Sequence, residues 1–398
     1  MENNDLKKEI QTKQEETKKE EETKKEGIEN KKEENSDSEE KIKGLNNQIA
    51  QLSVRCYDFE KEVILLKQQK NENIKKVNPI YINKMYPLKN WNISLLKSFS
   101  LQGDLGNYAK SLCINHELDL LAIGTKNGKI EVFKMYSWSF QFTFRLHSSS
   151  VNSLLYTNDG NSIISGGKDG KIIKSDLTNQ CSEEFLPQIL EPIKSIVYAL
   201  NGEDLFVAAG KTLYNYNIIT KKEKANSSIK YESDIQKLLW FDKYKYIIIG
   251  FKNGCIKVYC PFYRQIICEF KDHNDKITDL SICKINDSQA LISCSKDKTF
   301  KIYSIEEKKL MKSFKVSNKT SSGSRAIIYC HDEKTVMTIH EDGKVIVNNY
   351  RDEVASGEHP HKYYLSKDDK LNCAVYCGDG NTFIFGNNKG YIDVFCAK

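Results

Sequence analysis

Short runs of β-branched and aromatic residues alternate with tight polar turns through most of the chain. In the segment at residues 165–175, Lys168, Asp169 and Gly170 follow the apolar pair at residues 163–164 and precede the apolar run that begins at Ile172. An Asp-Gly pair between β-rich runs indicates a hairpin, because glycine adopts positive φ without steric cost. The pattern therefore predicts a strand, a tight turn and a second strand.

This hairpin pattern recurs at a nearly constant interval. The turn column contains Gly128, Gly170, Gly254, Lys298, Gly343 and Gly390, at intervals of 42, 84, 44, 45 and 47 residues. The double interval hides a degenerate copy at residues 207–218, in which the turn is shortened. Seven hairpin copies with this period predict an all-β, seven-bladed propeller with one four-stranded blade per repeat.

The last repeat has three predicted strands, one fewer than a complete blade. Residues 95–101, LLKSFSL, form an apolar segment without a hairpin of its own, and they precede the first complete repeat. We predict that this segment is the missing outer strand of the last blade. Such pairing closes the ring and removes an open strand edge that would favour aggregation.

Upstream of the propeller, the apolar residues change to a spacing of three and four. The seam contains Ile42, Leu45, Ile49, Leu52, Cys56, Phe59, Val63 and Leu66. This a/d pattern predicts an α-helical coiled coil over residues 41–70, and β-branched a positions with leucine at d favour a parallel pair. We expect a homodimer; the alternative is an amphipathic helix that packs on the propeller or recruits a different helical partner.

Composition divides the rest of the chain into a tail, a linker and the propeller. Residues 1–40 are almost entirely polar, and residues 1–41 contain ten lysines and fifteen acids. Such a segment buries too little apolar surface to offset its ordering entropy, so a disordered charged tail is predicted. Residues 71–90 are interpreted as a basic linker whose prolines oppose a helix, and residues 91–398 as the propeller.

The twelve cysteines are scattered, without a CxxC pair. This usage indicates a reducing compartment rather than a disulfide framework. No run approaches about 18 apolar residues, and the N-terminal region has no apolar signal core, so membrane insertion is not expected. The expected location is the cytoplasm, with the nucleus as the alternative.

The repeats resemble those of the WD-repeat β-propeller family, over about residues 91–398. A blade of that family ends in a Ser-x-Asp-Gly turn and a strand that closes on Trp-Asp. Here the turn acid is kept at Asp169, Asp297 and Asp342, whereas no tryptophan occupies the tryptophan column. The fifth repeat matches the family's structural tetrad best, with His273, Ser293, Asp297 and Tyr303.

No enzyme motif is evident in the sequence. It lacks the phosphate-cradling G-x-x-x-x-G-K-[ST] and the G-x-S-x-G nucleophile elbow, and the turn acids are explained as caps of their own hairpins. His359, His361, Cys373 and Cys377 are candidate zinc ligands, but the even spacing of the two cysteines in a predicted strand indicates core thiols. We therefore expect no catalytic activity, metal or cofactor.

Four repeats have a lysine two residues before the turn position, at Lys126, Lys168, Lys252 and Lys296. In the WD-repeat family these turns face the narrow end of the propeller, so the resemblance implies a partial lysine ring around the central opening. Such a ring would attract an acidic or phosphorylated peptide. The alternative is that these are ordinary exposed turn lysines. Nucleic acid is not expected, because the ring has no arginine and no stacking aromatic series.

These features favour a non-catalytic interaction scaffold or adaptor. The coiled coil would self-associate or recruit a helical partner, and the propeller would bind peptide segments of other proteins. The alternative is a structural subunit of a large stable assembly, such as a ribonucleoprotein or a ciliary or cytoskeletal complex. A phosphoinositide-binding propeller is a third hypothesis, but the chain lacks the Phe-Arg-Arg-Gly motif of that family.

Leu52→Pro places a helix-breaking residue in the middle of the predicted seam. We expect the full-length variant to be a monomer with an unchanged melting temperature of the propeller, because only the coil loses its helical pairing. Multi-angle light scattering measures the mass. A variant that keeps the oligomer mass of the parent protein would show that the coil does not pair two copies.

Overall fold

The computed structural model describes residues 93–397, apart from residues 103–105, 200–202, 226, 286–287, 316–322, 330–334, 350–360, 365–369 and 378–381. The described residues form seven antiparallel sheets. The predicted tail, coiled coil and basic linker lie outside the described residues, and so does the coiled-coil seam.

Each sheet is one blade, and the blades follow the order of the repeats. Strand β1 (Ile93–Ser100) belongs to the last blade. Blade one contains β2 (Ala109–Asn115), β3 (Leu120–Thr125), β4 (Lys129–Lys134) and β5 (Ser139–Arg145). Blade two contains β6 (Val151–Tyr156), β7 (Ser162–Gly167), β8 (Ile172–Asp176) and β9 (Ser182–Leu186). Blade three contains β10 (Ile193–Tyr198), β11 (Asp204–Ala209), β12 (Thr212–Asn217), β13 (Lys222–Glu223) and β14 (Ile229–Lys230).

The remaining four blades have the same antiparallel order. Blade four contains β15 (Ile235–Phe241), β16 (Tyr246–Phe251), β17 (Ile256–Cys260) and β18 (Gln265–Phe270). Blade five contains β19 (Ile277–Ile285), β20 (Ser288–Ser295), β21 (Thr299–Ser304) and β22 (Lys309–Lys315). Blade six contains β23 (Ser324–Tyr329), β24 (Thr335–His340), β25 (Lys344–Asn349) and β26 (His361–Tyr364). Blade seven contains β27 (Leu371–Tyr376), β28 (Thr382–Asn387), β29 (Tyr391–Ala397) and, from the start of the described chain, β1.

The blades are arranged in a closed ring. Their innermost strands are β2, β6, β10, β15, β19, β23 and β27. Each innermost strand contacts the innermost strand of the next blade, and β27 contacts β2. The chain therefore folds into the all-β, seven-bladed propeller that the repeats predict. In the part of the chain that the structure describes, no helix is long and apolar enough to cross a membrane.

The two faces of each blade pack against different neighbours. In β7, Ile163 belongs to the apolar cluster between blades one and two, whereas Ile164 belongs to the cluster between blades two and three. Successive side chains of a strand point to opposite faces, so a strand between two neighbours needs a nearly continuous apolar run. Both isoleucines are fully buried, and burying one such side chain stabilises a fold by about 1.5–3 kcal/mol.

The hairpin turns between the second and third strands of most blades require a left-handed backbone. Gly170 has a φ of 76°, and a side chain at this position would collide with the carbonyl oxygen of Ile189. Lys298 adopts the same conformation in blade five, with a φ of 66°. A residue other than glycine pays about 1–2 kcal/mol for this conformation. The hairpin of blade five is therefore strained where the matching hairpins have glycine.

Strand β1 closes the ring as the outer strand of blade seven. It pairs with β29 in antiparallel register, and the sheet order is β1-β29-β28-β27. Phe99 packs against the apolar cluster between blades seven and one, where its ring centroid lies 4.7 Å from that of Phe133. Just beyond the strand, the backbone N–H of Leu101 donates to the carbonyl oxygen of Gly390 at 2.9 Å. The first described strand thus completes the last blade.

The first leucines of the predicted closing segment contribute little to this packing. Leu95 and Leu96 are 54% and 53% exposed, and a bulge at Leu96 interrupts the pairing with β29. The chain is held further along, where the backbone N–H of Gln102 donates to Oε2 of the buried Glu131 at 2.9 Å. The anchoring of the ring therefore depends on the end of β1 and the residues that follow it.

Blade three departs from the predicted four-stranded pattern. Its outer edge consists of two short pieces, β13 and β14, and both pair with β12. The segment between β12 and β14 is rich in lysine and polar residues, which have low β propensity and no apolar face to bury. The expected single outer strand is therefore split. The shortened turn of the degenerate repeat lies at Gly210, between β11 and β12.

Phe99→Ala tests the closing strand in the full-length protein. Loss of the half-buried ring should cost about 2 kcal/mol and lower the melting temperature by about 5 °C, and it should promote aggregation as β29 becomes an open edge. Leu96→Ala is the matched control, because that side chain is half exposed on the same strand. Equal melting temperatures for the two variants would contradict the role of β1 in closing the ring.

Candidate functional site at the central channel

Every innermost strand carries a β-bulge at its second residue. In each blade the register slips between the first and third residues, which leaves the second without a partner on the neighbouring strand. The seven bulged residues are Lys110, Asn152, Lys194, Gln236, Thr278, Arg325 and Asn372. A bulge redirects the side chain of the extra residue away from the regular alternation.

All seven bulged residues line one cavity, at the centre of the ring, with a volume of about 310 Å³. All seven are polar and none is acidic. The cavity lining contains five cations, Lys110, Lys194, Lys237, Lys276 and Arg325, and one acid, Asp279. A recess lined by charges of one sign focuses the field and concentrates counter-ions. The channel is therefore suited to a negatively charged ligand.

The acid in the cavity lining is compensated by its neighbours. Oδ1 of Asp279 lies 2.8 Å from Nζ of Lys237, and its Oδ2 accepts a hydrogen bond from the backbone N–H of Ile327 at 3.1 Å. Lys110 and Lys194, in contrast, form no ion pair within the described residues. Lys237 and Asp279 link blades four and five, whereas Lys110 and Lys194 leave their charges available to a ligand.

The third residues of three innermost strands fix the spacing of the ring by hydrogen bonds to the next blade. The hydroxyl of Ser111 donates to the carbonyl oxygen of Val151 at 3.0 Å. The hydroxyl of Ser153 accepts from the N–H of Ile196 at 3.1 Å, and Ser195 accepts in the same way from Leu238 at 3.1 Å. These bonds hold neighbouring innermost strands together, so the bulged residues are presented on a rigid frame.

The four lysines predicted from the turns lie at the end of the ring where the innermost strands begin. Their backbone N–H groups donate to the residue that precedes each innermost strand: Lys126 to Tyr108 at 2.9 Å, Lys168 to Ser150 at 2.8 Å, Lys252 to Asp234 at 2.8 Å and Lys296 to Lys276 at 3.1 Å. They therefore share the channel mouth with the bulged residues. We call these four the rim lysines.

The rim lysines differ in their electrostatic surroundings. Nζ of Lys252 lies 3.5 Å from Asp234, and Nζ of Lys296 lies 3.3 Å from Glu341, so both have a carboxylate nearby. Nζ of Lys126 lies 5.2 Å from the ring centroid of Tyr108, and Nζ of Lys110 lies at the same distance from it. A cation at this distance is attracted to the ring quadrupole.

The ring of Tyr108 therefore contacts two cations, the rim lysine Lys126 and the bulged residue Lys110. Lys168 is exposed. Because Lys252 and Lys296 each have a carboxylate nearby, the rim has less free positive charge than a count of four lysines suggests. The channel lining adds positive charge that the turn lysines do not reveal.

Three of the four predicted tetrad residues of blade five form a buried hydrogen-bonded group. Nδ1 of His273 lies 2.7 Å from Oδ2 of Asp297, and its Nε2 lies 2.7 Å from the hydroxyl of Ser293. Tyr303 is fully buried beside them, and its ring centroid lies 4.4 Å from that of Phe270. This group ties the segment before β19 to the β20–β21 hairpin. Its burial and its place between strands make it a structural group.

Blade two contains a second group of this kind, which the sequence reasoning did not identify. Nδ1 of His147 lies 3.0 Å from Oδ1 of Asp169, and its Nε2 lies 2.8 Å from the hydroxyl of Ser165. Ser175 occupies the position of the aromatic residue and receives a hydrogen bond from Ser182 at 2.8 Å. The signal in the sequence was a histidine before β6 and a Ser-x-x-x-Asp turn, without the closing aromatic residue.

Electrostatics agree with a structural role for both groups. Burial lowers the pKa of His147, although Asp169 opposes this shift. Burial alone would raise the pKa of Asp297, but hydrogen bonds from His273 and Thr299 hold it well below its ordinary value. At neutral pH, Asp297 is therefore an ionised acceptor within the fold.

The candidate zinc ligands are not brought together as a described site. Cys373 and Cys377 lie in the apolar cluster between blades seven and one, and burial raises the pKa of Cys373 to about 12. His359 and the side chain of His361 lie outside the described residues. Among the residues that the structure describes, no group of three or more His, Cys, Asp or Glu side chains could hold a metal ion.

Comparison with known families agrees with this architecture. The family described as the anaphase-promoting complex subunit 4 WD40 domain matches residues 112–201, and the family described as the WD domain, G-beta repeat, matches residues 264–304. Residues 112–201 and 264–304 thus match WD40 repeats of the WD-repeat propeller family, in agreement with the seven-bladed ring. Propellers of this family are typically non-catalytic and generally serve as protein-interaction scaffolds.

Individual relatives are similar over part of their length. The p21-activated protein kinase-interacting protein 1-like of Xenopus laevis is 23% identical over 212 residues, which are 52% of this chain and 55% of that protein. Protein ROOT INITIATION DEFECTIVE 3 of Arabidopsis thaliana is 24% identical over 226 residues, which are 52% of this chain and 49% of that protein. The WD repeat-containing protein 91 homolog of Dictyostelium discoideum is 32% identical over 82 residues, 21% of this chain and 11% of that protein. The chain spans about half the length of the first two relatives.

Asp297→Asn tests the blade-five group through its pH dependence. The folded state holds the pKa of Asp297 below its unfolded value of about 3.9. The ionised carboxylate therefore stabilises the fold above that value, and this contribution is lost as the pH falls through the folded-state pKa. Asp297→Asn should lower the free energy of unfolding by about 1.5–3 kcal/mol at neutral pH, and the deficit should shrink below about pH 4.

Urea unfolding of the parent and variant at neutral and acidic pH measures this difference. Glu307→Gln is the control, because Glu307 is an exposed acid on the outer turn of the same blade. A deficit that stays constant down to about pH 3 would contradict an ionised structural Asp297.

Proposed function

We propose that this protein is a non-catalytic scaffold whose channel mouth binds acidic peptide segments of partner proteins. The observation that carries the proposal is the ring of seven bulged residues. All of them are polar, three of them are cations and none is an acid. A repeated backbone distortion that directs such side chains into one recess gives a binding surface with a defined charge.

Charge makes an extended acidic segment the best match for this surface. The cavity lining has an excess of four positive charges, since five cations face one acid. The Debye length is about 8 Å at physiological ionic strength, so charges gathered around one mouth act together on an approaching ligand. Complementary charge mainly raises the association rate and selects the partner, which suits a scaffold that exchanges its ligands.

The rim lysines extend the surface around the mouth. Lys126 and Lys168 are exposed and have no carboxylate within ion-pair distance in the described structure. Lys252 and Lys296 would have to exchange their present carboxylates, Asp234 and Glu341, for those of a ligand. We therefore assign Lys126 and Lys168 the larger role in attracting an acidic segment.

The coiled coil over residues 41–70 would multiply this weak binding. Two propellers joined through a parallel coil would present two mouths to one partner. Linking two sites makes the second contact intramolecular, and avidity can then exceed either affinity by about 10²–10⁴-fold. The basic linker at residues 71–90 would set the distance that the two propellers can span.

A second candidate is a structural subunit of a larger assembly. The outer turn of blade four exposes two neighbouring aromatic residues, Phe262 at 84% and Tyr263 at 68%. Exposed aromatic side chains are enriched at protein interfaces. The match of residues 112–201 to the WD40 domain of a subunit from a multi-subunit complex supports this candidate as well. Recovery of the native protein only in one large particle would favour it.

Removal of two channel cations tests the proposed function. We expect a full-length variant with both Lys110→Gln and Lys194→Gln to bind a fluorescein-labelled, glutamate-rich peptide about tenfold more weakly, because two uncompensated charges contribute roughly 1–2 kcal/mol together. Fluorescence anisotropy at low and physiological salt measures the affinity. Reversal of all four rim lysines to glutamate should weaken the same peptide further.

The matched control carries Lys97→Gln and Lys315→Gln, which remove the same charge from the outermost strands of blades seven and five. It should bind the peptide as the parent protein does. Equal weakening of both double variants would show that only the net charge matters, and the channel would then have no specific role.

A further inference from the structure

One corner of the channel mouth brings three cations close to the carboxylate of Glu341. Oε1 of Glu341 lies 3.3 Å from Nζ of Lys296 and 3.0 Å from Nη1 of Arg325. Lys276 stands next to this pair at the start of blade five and lines the channel together with Arg325. Among the described residues, Lys276 forms no ion pair. We call Lys276, Lys296 and Arg325 the cationic corner.

Backbone contacts hold the cationic corner in place. The N–H of Lys296 donates to the carbonyl oxygen of Lys276 at 3.1 Å, which fixes the two lysines relative to each other. A side chain at Gly323 would lie 2.6 Å from Cα of Lys296, so the chain that enters blade six rests directly on the Lys296 backbone. Only glycine permits this approach.

The guanidinium of Arg325 is held by the next blade. Its Nε donates to the carbonyl oxygen of Asn372 at 3.3 Å, and its Nη2 donates to Oδ1 of the same residue at 3.4 Å. The planar group is therefore oriented before any ligand arrives. An arginine held in this way loses little conformational entropy when it binds an oxyanion.

The cationic corner has more positive than negative charge. Burial lowers the pKa of Lys276, and the positive charges of Lys296 and Arg325 lower it further, whereas Glu341 and Asp275 act in the opposite direction. Three cations thus face two carboxylates, which leaves an excess of one positive charge. An anion that enters the corner would relieve the repulsion between the cations.

We propose that the cationic corner binds a phosphoryl group that carries two negative charges. This inference rests on the proposed function, because it assigns the ligand class for one part of the same channel mouth. A phosphoryl group presents three strong acceptor oxygens, one for each cation of the corner, whereas a carboxylate presents two. Its second negative charge is accommodated by the wider cavity lining, in which five cations face one acid. The group could belong to a phosphorylated side chain or to a free inorganic anion.

Calorimetric titration of the full-length protein with pyrophosphate tests the site itself. We expect binding of one pyrophosphate per chain with a dissociation constant below about 1 mM. Lys276→Gln should raise this constant about tenfold, because a charge-assisted hydrogen bond to the anion is lost. Lys315→Gln, on the outermost strand of the same blade, should leave it within about twofold of the parent value. Lys296→Gln provides a second variant if Lys276→Gln proves unstable on melting.

Competition experiments with small capped amino acids identify the source of the phosphoryl group. Capped phosphoserine should displace pyrophosphate at least about tenfold better than capped glutamate if a modified side chain is the ligand. Displacement by neither compound would assign the site to a free inorganic anion, which retains the phosphoryl chemistry.

Several outcomes would overturn the proposal. They are the absence of saturable pyrophosphate binding up to about 10 mM, an equal loss of affinity in Lys276→Gln and Lys315→Gln, and displacement of pyrophosphate by both capped glutamate and capped phosphoserine with the same potency. If the glutamate-rich peptide still binds at the channel in those cases, only this inference fails. If pyrophosphate binds as expected while that peptide does not, the proposed peptide-binding function fails instead.

Discussion

The pairing of β1 with β29 is the constraint on which the rest of the propeller depends. Each blade packs against its two neighbours, through apolar clusters such as those that contain Ile163 and Ile164. A chain of blades of this kind surrounds a channel only when the last blade is complete and packs against the first. Phe99 and the hydrogen bonds that follow β1 make this closure specific. The channel, and any site inside it, exists because the ring is closed.

The innermost strands combine closure with binding. Their third residues, such as Ser111 and Ser195, bond to the next blade, while the bulge before each of them directs the second residue into the channel. At Lys110 and Lys194 the ligand-facing residue is adjacent in sequence to a residue of the frame but separate from it in role. A change at either lysine alters the charge of the channel and leaves the hydrogen bonds of Ser111 and Ser195 in place, whereas Arg325 also bonds to the next blade. This arrangement lets the same fold present different surfaces, and here it presents cations at Lys110, Lys194 and Arg325.

Much of the fold was predictable from local chemistry. Glycine and asparagine or aspartate at the hairpin turns fixed the period, and His273, Ser293 and Asp297 were recognisable because turn and strand positions lie at constant offsets from the turn. The bulged ring was not predicted, because a bulge leaves no mark on the alternation of apolar and polar residues. The aligned second positions of the innermost strands, all polar, were the available signal. The His147 group was missed because Ser175 replaces the aromatic residue that marks a complete tetrad.

Charge in the finished structure also differs from charge counted along the chain. Two of the four rim lysines have a carboxylate nearby. Lys252 lies near Asp234, which precedes the innermost strand of the same blade, and Lys296 of blade five lies near Glu341 of blade six. Lys276 and Arg325, in contrast, become neighbours only through the packing of blades five and six. The packing of blades in the closed ring determines which charges form ion pairs. A count of turn lysines therefore predicts the position of the channel mouth, but it does not predict how much positive charge remains unpaired there.

A crystal of the protein soaked in tungstate would test most directly whether the channel mouth is the anion-binding face. The heavy oxyanion reports its position through anomalous scattering, without assumptions about the natural partner. We predict the strongest anomalous peak inside the channel mouth, within about 3 Å of donors on Lys276 and Arg325. Peaks confined to the outer strands, with an empty channel, would contradict a site built by the bulged innermost strands.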